Sequence, residues 1–309
     1  MRTWRARTEH LDRTPADHAQ RCRIPQDIRQ KNLAMIEKLP GRVNIQENVV
    51  FGTGGGRDLA CDVFTPPDAR RDRTAILLIH GGGWQNGDRG QLRGYGVQLA
   101  RYGYVCVSAE YRLSGEAPWP AQIHDVKAAL RWLRASADSL GVDPDKIAIS
   151  GNSAGAHLAL MLAATPNVPV FDGKGGHPDT SSSCAAVVAI YPPTALRIGA
   201  IGDAIANLFG GKASREAQDA ASPITYVHRH FPPTLLIHGN ADDIVPVEAS
   251  FSMYRSLADA GAPVELHVYD GAPHAFDVLP EFGRQLTDII ALFLDRKVTH
   301  PRAVELPGG

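Results

Sequence analysis

Along this chain, short and mostly apolar blocks alternate with longer amphipathic stretches. Residues 74–79, 104–109, 146–150, 185–191 and 234–238 are such blocks, rich in Ile, Val, Leu and Ala and bounded by turn formers. Blocks this short, with no alternation of polar positions, predict strands buried on both faces, and residues 264–269 add a further strand. Residues 92–102, 121–139, the stretch from 154, 247–260 and 280–296 carry apolar positions at helical spacing instead. Strand and helix signals that alternate from residue 74 onward predict an α/β fold with a mostly parallel central sheet flanked by helices.

Upstream, residues 48–51 and 59–64 read as two strands joined by Gly52-Thr53-Gly54-Gly55-Gly56. That glycine run resembles a dinucleotide loop, but the next segment is another strand and no helix follows, so it reads as a hairpin turn. Residues 1–42 are charged, with an amphipathic stretch over 28–39 that ends at Pro40-Gly41, and are expected to form a helical arm. Residues 192–231 hold no strand signal, only a glycine- and alanine-rich helical segment that includes Leu208-Phe209-Gly210-Gly211. An insertion there lies above the carboxyl ends of the strands, where ligands enter an open α/β sheet, so with the arm it is expected to make a small lid or cap. The organisation expected is an arm (1–42), one α/β domain (43–298) and a flexible tail (299–309).

At 309 residues, 44% of them hydrophobic and 21% charged, the chain can bury one large core. The formal charge of −1 gives no positive field for a phosphate backbone, which removes electrostatic support for nucleic-acid binding. The longest apolar runs fall far short of the roughly 20 residues that span a bilayer. Arg2, Arg5, Arg7, Glu9 and His10 open the sequence with no apolar run behind them, so the expected location is cytoplasmic. Cys22, Cys61, Cys106 and Cys184 form no C-x-x-C pair; no metal site is read from them, and Cys106 and Cys184 are expected as buried thiols.

The chemistry concentrates in four loops. Gly151-Asn152-Ser153-Ala154-Gly155 follows an apolar strand and opens an alanine-rich helix. This is the strand–turn–helix setting of a nucleophile elbow, in which flanking glycines let a serine hydroxyl project from the sheet edge. The pattern alone is weak, since it arises by chance roughly 0.2 times in a chain of this composition. His80-Gly81-Gly82-Gly83-Trp84 follows an earlier strand, where glycines can turn N–H groups toward an oxyanion. His238-Gly239-Asn240-Ala241-Asp242-Asp243 supplies a carboxylate after a later strand, and Gly271-Ala272-Pro273-His274 a histidine after the last one. The order Ser, Asp, His is that of α/β-hydrolases.

With Tyr111-Arg112-Leu113, Pro118 and Pro120, these motifs make residues 45–296 resemble α/β-hydrolases of the hormone-sensitive-lipase-like esterases, especially their bacterial feruloyl-esterase-like and carboxylesterase-like relatives. The chain departs from that pattern at Asn152, where relatives often carry Asp, Glu or His, and at Tyr191-Pro192-Pro193.

The resemblance implies a serine carboxylesterase that cleaves small or aryl-containing esters through an acyl-enzyme, with no cofactor or metal. Ser153 is the expected nucleophile, His274 the base and Asp242 its partner, Asp242 being preferred over Asp243 on its spacing from His238-Gly239. Gly82, Gly83 and Ala154 are expected to form the oxyanion hole, and Trp84, Tyr111 and Trp119 to line the substrate pocket. His80 is expected to brace the oxyanion loop, His124 to lie on a helix, His157 to pack behind the elbow and His267 to sit within a strand. Glu110, Arg112 and Asp125 read as a polar brace. The partner expected is a small-molecule ester, and a homodimer is left open. An amidase such as an arylformamidase would use the same triad. A non-catalytic hydrolase-like receptor usually lacks the serine or the histidine, and this chain has both.

Overall fold

Isoleucine, valine and leucine dominate the short strands, and because successive side chains leave a strand on opposite faces, an unbroken apolar run coats both sides of a sheet. The structure, a computed structural model, describes residues 38–67, 73–197 and 202–303. Its strands are β1 (Asn44–Gly54), β2 (Arg57–Thr65), β3 (Ala75–Ile79), β4 (Val105–Ala109), β5 (Ile147–Asn152), β6 (Ala186–Ile190), β7 (Thr234–Gly239) and β8 (Val264–Tyr269). They form one eight-stranded sheet in the order β1-β2-β4-β3-β5-β6-β7-β8. The β1–β2 and β2–β4 pairs are antiparallel and the rest are parallel.

The helices are α1 (Arg93–Ala100), α2 (Ala121–Ala135), α3 (Ala154–Ala164), α4 (Gly202–Leu208), α5 (Arg215–Ala220), α6 (Glu248–Asp259) and α7 (Pro280–Leu294). Leu77, Ile79, Val107, Ile149 and Leu236 point to one face, where α2, α3 and α6 cover them. Ile76, Leu78, Cys106, Val188 and Ile237 point to the other, under α1 and α7. Every loop at the carboxyl ends of the parallel strands therefore emerges at one edge of this sandwich.

The structure corrects several expected boundaries. The hairpin strands run longer than residues 48–51 and 59–64, because register irregularities in β1 interrupt the period that marks a strand, and the turn shrinks to Gly55-Gly56. The helix expected over 121–139 ends at Ala135, and a short turn, Ala137–Leu140, follows before Gly141 turns left-handed. The tail does not begin at 299: α7 runs into a wider turn, Asp295–Thr299, and Thr299 is buried with its hydroxyl 3.1 Å from that of Thr74. Cys106 is buried in β4, whereas Cys184 is half-buried just before β6. Of the arm expected over residues 1–42, residues 1–37 lie outside the described residues.

Within residues 192–231, α4 and α5 are followed by a helical turn at Pro223–Tyr226. This segment is tied to the body where Trp119 N donates to Leu208 O at 2.7 Å and Asn207 Nδ2 to Gln85 Oε1 at 2.7 Å. Among the described residues, no helix is long and apolar enough to cross a membrane.

Candidate active site

The turn between β5 and α3 holds Ser153 at φ +52° and ψ −121°, a conformation that costs a non-glycine residue energy and persists only where its surroundings impose it. Its surroundings leave no alternative. A Cβ on Gly151 would lie 2.3 Å from Gly155 O, and one on Gly155 would lie 2.1 Å from Ile79 O. Glycine at both places lets strand, helix and neighbouring strand close around the serine.

Beside it, the loop after β3 carries Gly82 at φ +107° and Gly83 at φ +60°. Both line the same cavity as Ser153 and Ala154. Ala154 is the first residue of α3, so its N–H has no carbonyl within the helix to reach and stands at the positive end of the helix dipole. The loop is braced from below. His80 Nδ1 meets Gly81 O at 2.8 Å, and the His80 ring stacks on Tyr111 at 4.3 Å with 11° between planes. Tyr111 Oη donates to His80 O at 3.0 Å. Burial holds the His80 imidazole below its ordinary pKa.

Asp242 and His274 arrive on the loops after β7 and β8. Those loops can touch because Gly239 has no side chain: a Cβ there would lie 2.1 Å from Ala272 O. His274 Nε2 stands 2.9 Å from Ser153 Oγ, and its Nδ1 2.7 Å from Asp242 Oδ2. Asp242 Oδ1 accepts from the N–H groups of Ile244 at 3.0 Å and Val245 at 2.8 Å. Asp243 is exposed and Asp242 buried, which separates the two neighbours.

A histidine that sequence reasoning left without a role also meets this carboxylate. His238 Nε2 lies 2.8 Å from Val245 O and 3.3 Å from Asp242 Oδ2, and its Nδ1 lies 2.7 Å from Ser250 Oγ. Two acceptors at Nε2 require the proton there, so Nδ1 accepts from the serine hydroxyl. Burial alone would raise the Asp242 pKa, but hydrogen bonds from His238, His274 and the Val245 amide outweigh it and hold the carboxylate well below its usual range.

A second polar chain runs alongside. Tyr191, at φ +41°, lays its ring 4.6 Å from the His274 imidazole. Its hydroxyl donates to Asp277 Oδ1 in a short contact and accepts from Asn152 Nδ2 at 3.2 Å. Tyr95 Oη donates to Asp277 Oδ2 at 2.9 Å. Burial first, and then the Asp277 charge, push both phenols well above their ordinary pKa, so both remain neutral donors. Asn152, the departure noted before Ser153, thus joins the elbow to the histidine loop.

These groups border a cavity of about 1150 Å³. Of the three aromatic residues expected to line it, Trp84 does, with its indole Nε1 donating to His157 Nδ1 at 3.2 Å. Tyr111 and Trp119 do not. Tyr111 is spent beneath the loop after β3, and Trp119 packs half-buried against His157 and Phe171, each 5.7 Å away. The 192–231 insertion contributes Pro193 and Ala204 to the wall. His157 lies in the helix behind the elbow and holds the insertion through Nε2 to Ala221 O at 2.7 Å, while His124 is in α2 and His267 in β8. The expected polar brace divides: Arg112 pairs with Asp125 at 2.7 Å, whereas Glu110 pairs with Arg57 at 2.7 Å and Arg89 at 2.6 Å.

A mostly parallel eight-stranded sheet, an elbow serine and a histidine–aspartate pair on the last two carboxyl-end loops define an α/β-hydrolase. The BD-FAE family model matches residues 61–257, and the chain belongs to that family. It is 34% identical to esterase LipQ of Mycobacterium tuberculosis over an alignment of 281 positions that covers 86% of this chain and 66% of LipQ. With esterase LipC of the same organism it shares 35% identity over 236 residues, 72% of this chain and 58% of LipC. The chain thus spans less than two thirds of either relative.

Among solved structures, a truncated carbohydrate esterase from gut microbiota superposes with a TM-score of 0.73 at 26% identity, covering 84% of this chain and all of that one. Esterase 2 of Thermogutta terrifontis, solved after phosphonylation by sarin, gives a TM-score of 0.73 at 27% identity, covering 86% of this chain and 98% of that one.

Proposed function

We propose that the protein is a serine esterase acting on small or aryl-containing carboxylic esters. The observation that carries this reading is the continuous contact from Asp242 through His274 to Ser153 Oγ at 2.7 and 2.9 Å, opening into a large cavity. In this reading His274 Nε2 takes the Ser153 proton as Oγ adds to the ester carbonyl, a step worth about 10²- to 10⁴-fold. The N–H groups of Gly82, Gly83 and Ala154 receive the oxyanion, each worth about 3 kcal/mol. Asp242 fixes the Nδ1–H tautomer and stabilises the imidazolium. The bond from the carbonyl carbon to the alcohol oxygen then breaks, its electron pair stays on that oxygen, and the Nε2 proton goes to it. Water, activated by the same imidazole, releases the acid and restores Ser153.

The test is a panel of short p-nitrophenyl esters, methyl ferulate and N-formylkynurenine, run on the wild type and on Ser153→Ala, with fluorophosphonate labelling alongside. Ester hydrolysis and labelling that both vanish in a folded Ser153→Ala variant support the reading. A wild type that is not labelled and turns over no ester defeats it, and preference for the formamide would make the enzyme an amidase.

A further inference from the structure

The cavity extends well past the triad. On one side, the helical turn Arg89–Leu92 and α1 present Gln91, Gly94 and Gln98; on the other, α7 presents Pro280, Gly283 and Thr287. The second set has the spacing i, i+3, i+7, which places it on a single face of α7, and the first runs from the turn into α1 along the same cavity. Since α1 and α7 pack together over one side of the sheet, the two rows face each other across a groove continuous with the space over Ser153. Seven residues of helix span about 10 Å, the length of a fused bicyclic ring system.

The chemistry decides which half of an ester belongs there. The group that returns a proton to the departing oxygen must lie beside it, so the alcohol half sits against His274. The cavity wall next to His274 continues through Asp277 and Val278 into Pro280 and α7. The groove is therefore reached from the leaving-group side.

We propose that the groove between α1 and α7 is the alcohol site, built for esters of extended alcohols or phenols. The inference rests on the serine-esterase reading. Gln91 offers an amide donor and acceptor along one wall, and Gln98, whose Oε1 accepts from Lys38 Nζ at 3.2 Å, offers its Nε2 donors. Gly94 keeps one wall of the groove open. Gly94 lines the cavity and a Cβ there would meet nothing within 4 Å, so a larger side chain at that position has open space to occupy, whereas a Cβ on Gly283 would lie 2.9 Å from Asp277 O, so that glycine lets the segment after His274 approach α7.

Gly94→Leu tests this. The wild type and the variant are compared on ethyl acetate and 2-naphthyl acetate, which differ in the alcohol, and on p-nitrophenyl acetate and hexanoate, which differ in the acyl chain. Taking each kcat/KM ratio in the variant against the same ratio in the wild type cancels the intrinsic reactivity of the leaving groups. The naphthyl-to-ethyl ratio is expected to fall at least about tenfold, the scale of one excluded group in a pocket, and the hexanoate-to-acetate ratio to stay within about twofold. Gly94→Ala gives a smaller fall in the same direction and replaces the leucine variant should that one not fold. An unchanged naphthyl-to-ethyl ratio overturns the proposal, as does a shift confined to the acyl pair, which would assign the groove to the acid half. A wild type with no Ser153-dependent hydrolysis of any of these esters sinks the esterase reading itself, and the alcohol site with it.

Discussion

Replacing Asp242 by Asn exchanges one oxygen for an NH₂ group, and no orientation of that amide suits the site. With nitrogen in the Oδ1 position it opposes two backbone donors, Ile244 N at 3.0 Å and Val245 N at 2.8 Å. With nitrogen in the Oδ2 position it opposes the His238 Nε2 proton, 3.3 Å away and held there by Val245 O. The second orientation also donates to His274 Nδ1, which drives the imidazole proton to Nε2 and aims it at Ser153 Oγ. A protonated Nε2 cannot accept the serine proton. The charge-assisted bond to the imidazolium accounts for about 1.5–3 kcal/mol, and recovering the productive tautomer costs the rest. Together they predict a fall in kcat of about 10⁴, or some 5 kcal/mol of barrier. The assay is steady-state turnover of p-nitrophenyl acetate by Asp242→Asn, with circular dichroism to verify the fold and Asp243→Asn in parallel. Asp243 is exposed, so its variant is expected to remain within about twofold of wild type. An Asp242→Asn enzyme within tenfold of wild type, or an equal loss in Asp243→Asn, refutes the reasoning.

Two further outcomes follow from burial at the elbow. Gly155→Ala sets a methyl 2.1 Å from Ile79 O and 2.5 Å from His80 O, both backbone atoms, so the elbow and the loop after β3 must part. Urea unfolding is expected to show a loss of about 1–3 kcal/mol or more, with falling turnover, and wild-type values for both would contradict the close approach. His157 is fully buried and neutral, its pKa lowered to about 4 by desolvation against the opposing Ala221 hydrogen bond. Because the unfolded histidine titrates near 6.5, this stability is intact above about pH 6.5 and is lost as pH falls through 4, up to about 3 kcal/mol. Urea midpoints between pH 7.5 and 4.5 should drop more steeply for the wild type than for His157→Gln, and identical slopes would rule this out.

What the sequence made legible were the positions where the backbone tolerates one residue type. Glycines at 151, 155 and 239 stand where a Cβ would meet another carbonyl at 2.3 Å or less, so each motif carried its geometry in its spelling. The meeting of Ser153, Asp242 and His274 was readable from their placement, since each occupies a loop that follows a strand. Partner choice among ordinary polar and aromatic residues was not. Tyr111 and Trp119 have the size and type of pocket residues, yet the first is spent bracing His80 and the second packs on Phe171, a distinction set by three-dimensional placement alone. Tyr95, Asn152, Tyr191 and Asp277 lie on four separate segments, and nothing in their local context marks them as one hydrogen-bonded chain. The exception is His238. It stands at the end of β7, only four residues before Asp242, so its contact with the carboxylate could have been inferred from spacing. A buried acid that accepts two backbone N–H groups and the imidazole of His274 still has room at Oδ2 for one more donor, and in this chain the residue beginning the His-Gly pair supplies it.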